Sequence, residues 1–291
     1  MNKPTPLHQK MSSNILITYL RNLNERRKKE IVYFKRLKKL QQIIKTQALN
    51  TFFQPIINLS SGKTVGYEAL NRPVATSLFP NTEFFYDFVG QSNHVFLFEC
   101  LCRNLSLKRF MERSSDKSFS CPPLLFINIH PNVLLDANYH SGETLQLLSE
   151  LGIDTKQVVF ELTEKSAVKD FTLFEKVLSH YRNQGYRIAI DDVGSGYNSL
   201  KTLIYLKPEF IKLDKSLTQN INENEEQKQI IKLIMEYAKH SSTKVIAEGI
   251  EKKEDLIYLR NRGIDYGQGY AIGKPSEKIR EGLFDNELID I

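Results

Sequence analysis

Five carboxylates and one amide stand where apolar runs of this chain end. Glu68 closes Thr64–Glu68, Asn128 closes Leu124–Asn128, Glu161 closes Val158–Glu161 and Glu248 closes Val245–Glu248. Asp191 closes Tyr186–Asp191, with Asp192 directly after it, and Lys212 lies within the run Phe210–Asp214. A buried strand does not normally end in acids unless positive charge opposes them. Five carboxylates gathered in one place cannot all stay ionised. Lys212 offsets one, and the rest require cations or strongly raised pKa values. The donors are oxygens, with no His or Cys at these ends except His130, two residues past Asn128. That set selects Mg²⁺ or Mn²⁺ over Zn²⁺. An acid such as Asp191 that bridges two ions would make a two-metal site, suited to displacement at a phosphate ester.

Taken singly, each motif has a plainer alternative. Asp191-Asp192 by itself reads better as a solvated strand end. Gly194-Ser195-Gly196 reads as a tight turn or as a close backbone approach to phosphate. The Gly-x-Ser-x-Gly elbow of hydrolases is absent around Ser195. Lys212 is as readily a partner of Asp214 as a water- or phosphate-binding group. His94, His130, His140, His180 and His240 read as ordinary core or surface histidines. The chemistry rests on the joint occurrence of polar residues at successive strand ends.

The elements that must position them alternate. Thr51–Leu59 and Lys63–Leu70, joined by Ser60-Ser61-Gly62, read as an antiparallel hairpin. Helices are expected over Glu83–Val89, Val95–Met111, Glu143–Leu151, Phe171–Asn183, Tyr197–Tyr205, Glu225–His240 and Lys253–Asn261. Strands are expected over Leu124–Asn128, Gln157–Leu162, Tyr186–Asp191, Phe210–Leu213, Lys244–Ala247 and Ile264–Gly267. About eight strands alternating with helices predict a (β/α)₈ TIM-like barrel, an α/β fold, with one antiparallel strand supplied by the hairpin. Such barrels build their sites at the C-terminal strand ends, where the polar residues fall. The expected division is 1–46, a disordered start and a basic helix, and 47–291, the barrel.

Charge is unevenly spread. Residues 21–45 hold ten Lys/Arg and two acids, a balance of +8, and Lys3 and Lys10 add +2. The whole chain carries +6, so residues 46–291 carry −4. The high isoelectric point is therefore no argument for DNA binding by the main domain. From Asn14 to Gln47 no Pro or Gly interrupts, and Tyr33, Leu37, Leu40 and Ile44 recur on one helical stripe. That helix is open to three readings: a solvated lead-in, a dimerising or relay helix, or a contact for a membrane surface or protein partner. Three cysteines, Cys100, Cys102 and Cys121, show neither disulfide framework nor zinc spacing. With the apolar run Ile15–Leu20 too short to span a bilayer, the expectation is a cytoplasmic protein.

These residues also carry a family resemblance. The sequence resembles the EAL-domain phosphodiesterases, which hydrolyse cyclic di-GMP to linear pGpG. The signature is Glu68-Ala69-Leu70, flanked by Phe53-Gln54-Pro55-Ile56 and Arg72. Asn128, Glu161-Leu162-Thr163-Glu164, Asp191-Asp192-Val193-Gly194-Ser195-Gly196-Tyr197, Ile211-Lys212-Leu213-Asp214, Ala247-Glu248-Gly249-Ile250-Glu251 and Gln268-Gly269-Tyr270 follow in order over about residues 47–275. The resemblance implies a pair of Mg²⁺ or Mn²⁺ ions held by Glu68, Asn128, Glu161, Asp191 and Asp192. It implies Lys212 on the attacking water or phosphate, Glu248 as general base and Gln268 completing the site. Gln54 and Arg72 would contact the cyclic di-GMP substrate, Glu251 would support the site's edge, and Glu164 would couple the metals to a homodimer interface. Val193 stands for a customary Phe, Ser195 for Thr and Pro73 for Trp; none removes a ligand oxygen. Some relatives have lost catalysis and act as nucleotide receptors or interaction modules, typically without part of the ligand set that this chain retains.

Overall fold

A computed structural model describes residues 6–114, 121–130, 133, 142–163, 171–195 and 199–283. The elements are α1 (Pro6–Thr46), β1 (Leu49–Asn58), β2 (Thr64–Pro73), α2 (Thr82–Gly90), α3 (Val95–Ser114), β3 (Leu124–Asn128), α4 (Glu143–Leu151), β4 (Val158–Thr163), α5 (Phe171–Asn183), β5 (Arg187–Val193), α6 (Ser199–Leu206), β6 (Phe210–Leu213), α7 (Glu225–Ser241), β7 (Lys244–Ala247), α8 (Lys253–Asn261) and β8 (Tyr266–Gly267). A one-turn helix, Lys215–Thr218, follows β6.

The strands close a barrel in sequence order, β1 to β8. β2 through β8 run parallel, and β1 closes the circle antiparallel to β8 through Ile57↔Gly267 and Asn58↔Tyr266. The hairpin explains the reversed strand: a connection this short can only join antiparallel neighbours, whereas each later strand returns through a helix. Asn58 Oδ1 fixes its turn by accepting from the Ser60 and Ser61 backbone N–H groups at 3.1 and 2.8 Å. The expected (β/α)₈ architecture with one antiparallel strand is the one observed.

The chain separates into two compact units. The larger comprises Leu49–Arg72 and Asn93–Ile291 and contains the barrel. Ile56, Phe126, Val159, Ala189, Phe210 and Ile246 form a closed apolar cluster inside the barrel, with Phe126 and Phe210 edge to face at 5.3 Å. Gly66 makes room for this plug, since a Cβ there would lie 2.7 Å from the Leu124 carbonyl and 3.2 Å from the Phe126 ring. The outward strand residues, among them Ile127, Phe160, Ile188, Ile211 and Val245, belong to a second, larger cluster with residues of the surrounding helices. That is the two-sided burial expected of parallel strands.

The smaller unit comprises Met1–Ala48 and Pro73–Ser92, so the connection after β2 groups with the basic helix. Tyr33 meets Phe88 at 5.4 Å between ring centroids, Arg36 lies 4.4 Å over the Phe84 ring, and its Nε donates to the Leu78 carbonyl at 3.1 Å. The helix begins at Pro6, earlier than Asn14 and within the stretch expected to be disordered. A proline in the first turn costs nothing there, because its missing N–H is one of the helix's unpaired donors anyway. β8 is shorter than expected, Tyr266–Gly267, and α6 starts at Ser199. No helix among the described residues is long and apolar enough to cross a membrane, and none of the three cysteines forms a disulfide.

Candidate active site

Strand alternation lifts the polar residues directly above the apolar plug. Two residues on from Phe126, Val159, Ala189, Phe210 and Ile246 stand Asn128, Glu161, Asp191, Lys212 and Glu248. Glu68 bears the same relation to Gly66 and Gln268 to Tyr266, and on reversed β1 Gln54 precedes Ile56 by two. With a period of two, all eight occupy the inner face one layer nearer the C-terminal mouth.

Lys212 is the hub, and it is fully buried. Its Nζ lies 2.7 Å from both Glu161 and Glu248, 3.3 Å from Glu68 and 3.5 Å from Asp191. Burial opposes the ammonium charge, but Asp191, Glu161, Glu248 and Glu68 together hold the lysine pKa well above its ordinary value. Lys212 therefore does not pair with Asp214, which instead caps the one-turn helix by accepting from the Ser216 N–H at 2.9 Å.

The four acids share one cation unequally. Burial pushes Glu68 up, yet Lys212 and hydrogen bonds from Gln268 and Asn128 prevail and hold it below the usual carboxylate range. Those bonds run from Gln268 Nε2 to Oε2 at 2.6 Å and from Asn128 Nδ2 to Oε1 at 3.0 Å. Glu161 fares worse. It pairs with the Lys212 ammonium, and burial with Glu68 as neighbour drives its pKa well up despite Lys212. Burial and Asp191 likewise push Glu248 well up. Asp191 is raised by burial against the pull of Lys212, with Glu68 and Asp192 adding to the rise. One ammonium cannot neutralise its surroundings, while every acid repels its neighbours.

Asp192 requires a separate explanation, because simple alternation would turn it away from Asp191. The register between β5 and β6 shifts between Ile190 and Val193, and Asp192 has φ +59°. This bulge re-aims one side chain at the rim. Ligand atoms of Asp191, Asp192 and Glu248 consequently lie within 4.8 Å of one another. Asp191 Oδ1 accepts the Asp192 N–H at 2.9 Å. Three convergent carboxylates with Glu68 and Glu161 behind them, five acids around one ammonium, fit hard divalent cations: the donors are oxygens and the negative charge exceeds the positive.

Gln54 joins the network through Gln268 Nε2, 3.1 Å from its Oε1, and donates to the Gly273 carbonyl at 3.0 Å. Arg72 lies farther out, exposed, with its guanidinium 5.4 Å over the Phe52 ring. Glu251 is exposed and accepts from Gln219 at 3.2 Å. Glu164, Gly196 and Tyr197 lie outside the described residues. Sequence reasoning missed Thr218 and Gln219. The Thr218 hydroxyl donates to the Glu248 carbonyl and ties the end of β7 to the one-turn helix. The sign available for it was Asp214 followed by Lys215-Ser216, a helix-start pattern directly after β6.

A (β/α)₈-type barrel with a carboxylate-crowded, lysine-centred mouth defines a narrow class of molecule, and comparison with known proteins agrees. The EAL domain family model matches residues 37–275, and the chain belongs to that family. It is 32% identical over 248 residues to the probable cyclic di-GMP phosphodiesterase PdeB of Escherichia coli, covering 82% of this chain and 45% of that protein. It is 30% identical over 249 residues to a cyclic di-GMP phosphodiesterase of Pseudomonas aeruginosa, covering 83% and 41% respectively. The chain thus spans less than half the length of either relative. Among solved structures, a standalone EAL protein of Vibrio cholerae in its c-di-GMP-bound form superposes with a TM-score of 0.68 at 26% identity, covering 84% of this chain and 98% of that one.

Proposed function

We propose that the chain is a metal-dependent phosphodiesterase that hydrolyses cyclic di-GMP to linear pGpG. The observation that carries this reading is Lys212 enclosed by Glu68, Glu161, Asp191 and Glu248, with Asp192 turned onto the same rim. Glu68, Asn128, Glu161, Asp191 and Asp192 would hold two Mg²⁺ or Mn²⁺ ions. Such ions, when bound, supply charge neutralisation at the phosphate and acidify the attacking water.

The chain's own groups do the rest. Glu248, whose basicity is raised by burial, accepts the proton of the water that attacks phosphorus. The bond from phosphorus to the 3′-oxygen breaks, and that oxygen leaves as a hydroxyl after taking up a proton, which gives a 5′-phosphate and a 3′-hydroxyl. Lys212 offsets charge on the phosphate and holds the water. Gln268 and Gln54 fix the Glu68 carboxylate and the near edge of the nucleotide pocket. Arg72, outside the acidic layer, meets substrate phosphate or base, and Glu251 with Gln219 steadies the segment after β7. Similarity to proteins named as cyclic di-GMP phosphodiesterases supports the substrate.

The test is incubation of the purified chain with cyclic di-GMP and Mg²⁺ or Mn²⁺, with products separated by chromatography. The expected result is pGpG, suppressed by chelator. Nucleotide binding without product would instead define a receptor, and no binding at all would leave a protein-interaction module.

A further inference from the structure

The basic helix presents two different faces. Tyr33, Arg36, Leu40 and Ile43 share one side of α1; Tyr33 and Arg36 touch the segment Pro73–Ser92, and Leu40 and Ile43 are buried. At 100° per residue, Tyr19, Leu20, Leu23, Ile31 and Phe34 fall on another side, and all five are exposed. Leu20, Leu23, Arg27, Glu30, Phe34 and Leu37 follow the 3-4 spacing of a coiled-coil seam, with Leu20, Arg27 and Phe34 at one repeating position and Leu23, Glu30 and Leu37 at the other; Leu37, half-buried, stands where the seam borders the packed side, and the other five are exposed. The centre of this apolar stripe is charged: Arg27 and Glu30 both lie on it, exposed.

We propose that α1 pairs antiparallel with α1 of a second copy of this chain, setting Leu20 against Leu37, Leu23 against Phe34 and Arg27 against Glu30. The register is self-complementary. A two-fold axis between residues 28 and 29 brings each apolar residue opposite an apolar one. It also pairs both charged residues twice, Arg27 with Glu30 of the other copy and the reverse. A parallel pair would oppose Arg27 to Arg27 and Glu30 to Glu30. An anionic membrane would have to take the Glu30 carboxylate into the middle of the inserted face, where a second helix supplies its counter-charge. Lys28 and Lys35 stand off the seam and remain in solvent. The inference is independent of the catalytic reading.

The test uses the full chain with Cys100, Cys102 and Cys121 replaced by Ser. Chains carrying Leu23→Cys are mixed with differently tagged chains carrying Phe34→Cys and treated with a short thiol cross-linker. The mixture is expected to give a mixed dimer, and neither variant alone is expected to link, since like positions lie about 16 Å apart along the antiparallel pair. Sedimentation then reads the charge pairing. Arg27→Glu and Glu30→Arg are each expected to weaken self-association at least about tenfold, and the double exchange to restore it. Cross-linking of Leu23→Cys with itself would overturn the register. A chain that stays monomeric at about 100 µM, or that binds phosphatidylglycerol vesicles more tightly as Glu30→Arg without dimerising, would overturn the proposal in favour of a lone or membrane-bound helix.

Discussion

Replacing Glu99 by Gln should make the protein more stable at neutral pH, by about 3 kcal/mol. Glu99 lies on α3, 4% exposed, with Oε2 unpartnered. Burial raises its pKa from the ordinary 4.5 to about 7, against the pull of Arg103 and a hydrogen bond from the His130 backbone. Arg103 cannot serve it fully, since its guanidinium donates to the Tyr181 hydroxyl at 3.0 Å and to Cys100 Sγ at 3.5 Å. A carboxyl whose pKa is raised by folding binds its proton more tightly in the native state. Stability therefore falls as pH rises from the unfolded pKa towards the folded one, then levels off. A rise from 4.5 to about 7 corresponds to about 3 kcal/mol at about 1.4 kcal/mol per unit. Glutamine keeps the acceptor for His130 and does not titrate. Urea melts of the two proteins in chelator, compared pairwise from about pH 4.5 to 8, should coincide at the acid end and diverge to about 3 kcal/mol in favour of Glu99→Gln. The acidic cluster titrates in both proteins and cancels in the difference. A gap that does not change with pH, or a wild type that is the more stable at pH 8, would mean that Glu99 is ionised and paired throughout, and the reasoning would fail.

Four further outcomes follow from the site. Glu68→Ala and Asp191→Asn should each lower pGpG formation by about 10³-fold or more with the circular dichroism unchanged, since several kcal/mol of charge stabilisation is lost; retained turnover in either would remove the assigned role. In chelator, Asp191→Asn and Glu161→Gln should melt at or above the wild-type temperature, because each removes a carboxylate whose pKa is already raised; a lower melting temperature for both would contradict the crowding argument. Lys212→Met should cost about 3–5 kcal/mol, the penalty for stripping the counter-ion from buried acids, and added Mg²⁺ or Mn²⁺ should recover part of that in thermal melts. Gly194→Ala should destabilise by about 1–3 kcal/mol in urea and slow hydrolysis, because Gly194 has φ +103° and a methyl there would run into Leu217 Cδ1.

The barrel was legible because both of its periods are written locally. Apolar runs such as Val158–Glu161 and Phe210–Leu213 alternate with amphipathic segments, and Ser60-Ser61-Gly62 marks the single place where the chain can only double back. The convergence of Glu68, Glu161, Lys212 and Glu248 was legible for the same reason. What escaped was set by contacts between distant segments. Nothing local separates Lys212–Asp214 from Lys212–Glu161, because the choice depends on which residues face inward across four strands. Nor does local pattern reveal that Pro73–Ser92 groups with α1 rather than with the strand that precedes it.

Asp192 shows why adjacency in sequence understates what the site demands. Two neighbouring residues on a regular strand face opposite ways, so a single strand end delivers one carboxylate to the mouth and buries or exposes the other. Delivering both requires an extra residue in the ladder and a backbone torsion that side chains other than glycine rarely adopt, and β5 has both. Strain of this kind persists only where the surroundings over-determine it. Here they do: Val193 is fully buried and re-enters register opposite Leu213, while Asp191 Oδ1 holds the Asp192 N–H. Among the described non-glycine residues with positive φ, Asp192 is the one that lies inside a strand; Gln47, Lys207, Asn220 and Ser242 lie in connections. Kept in place beside acids that already repel one another, the bulge turns a further carboxylate onto the rim, the charge arrangement that the proposed divalent cations would offset.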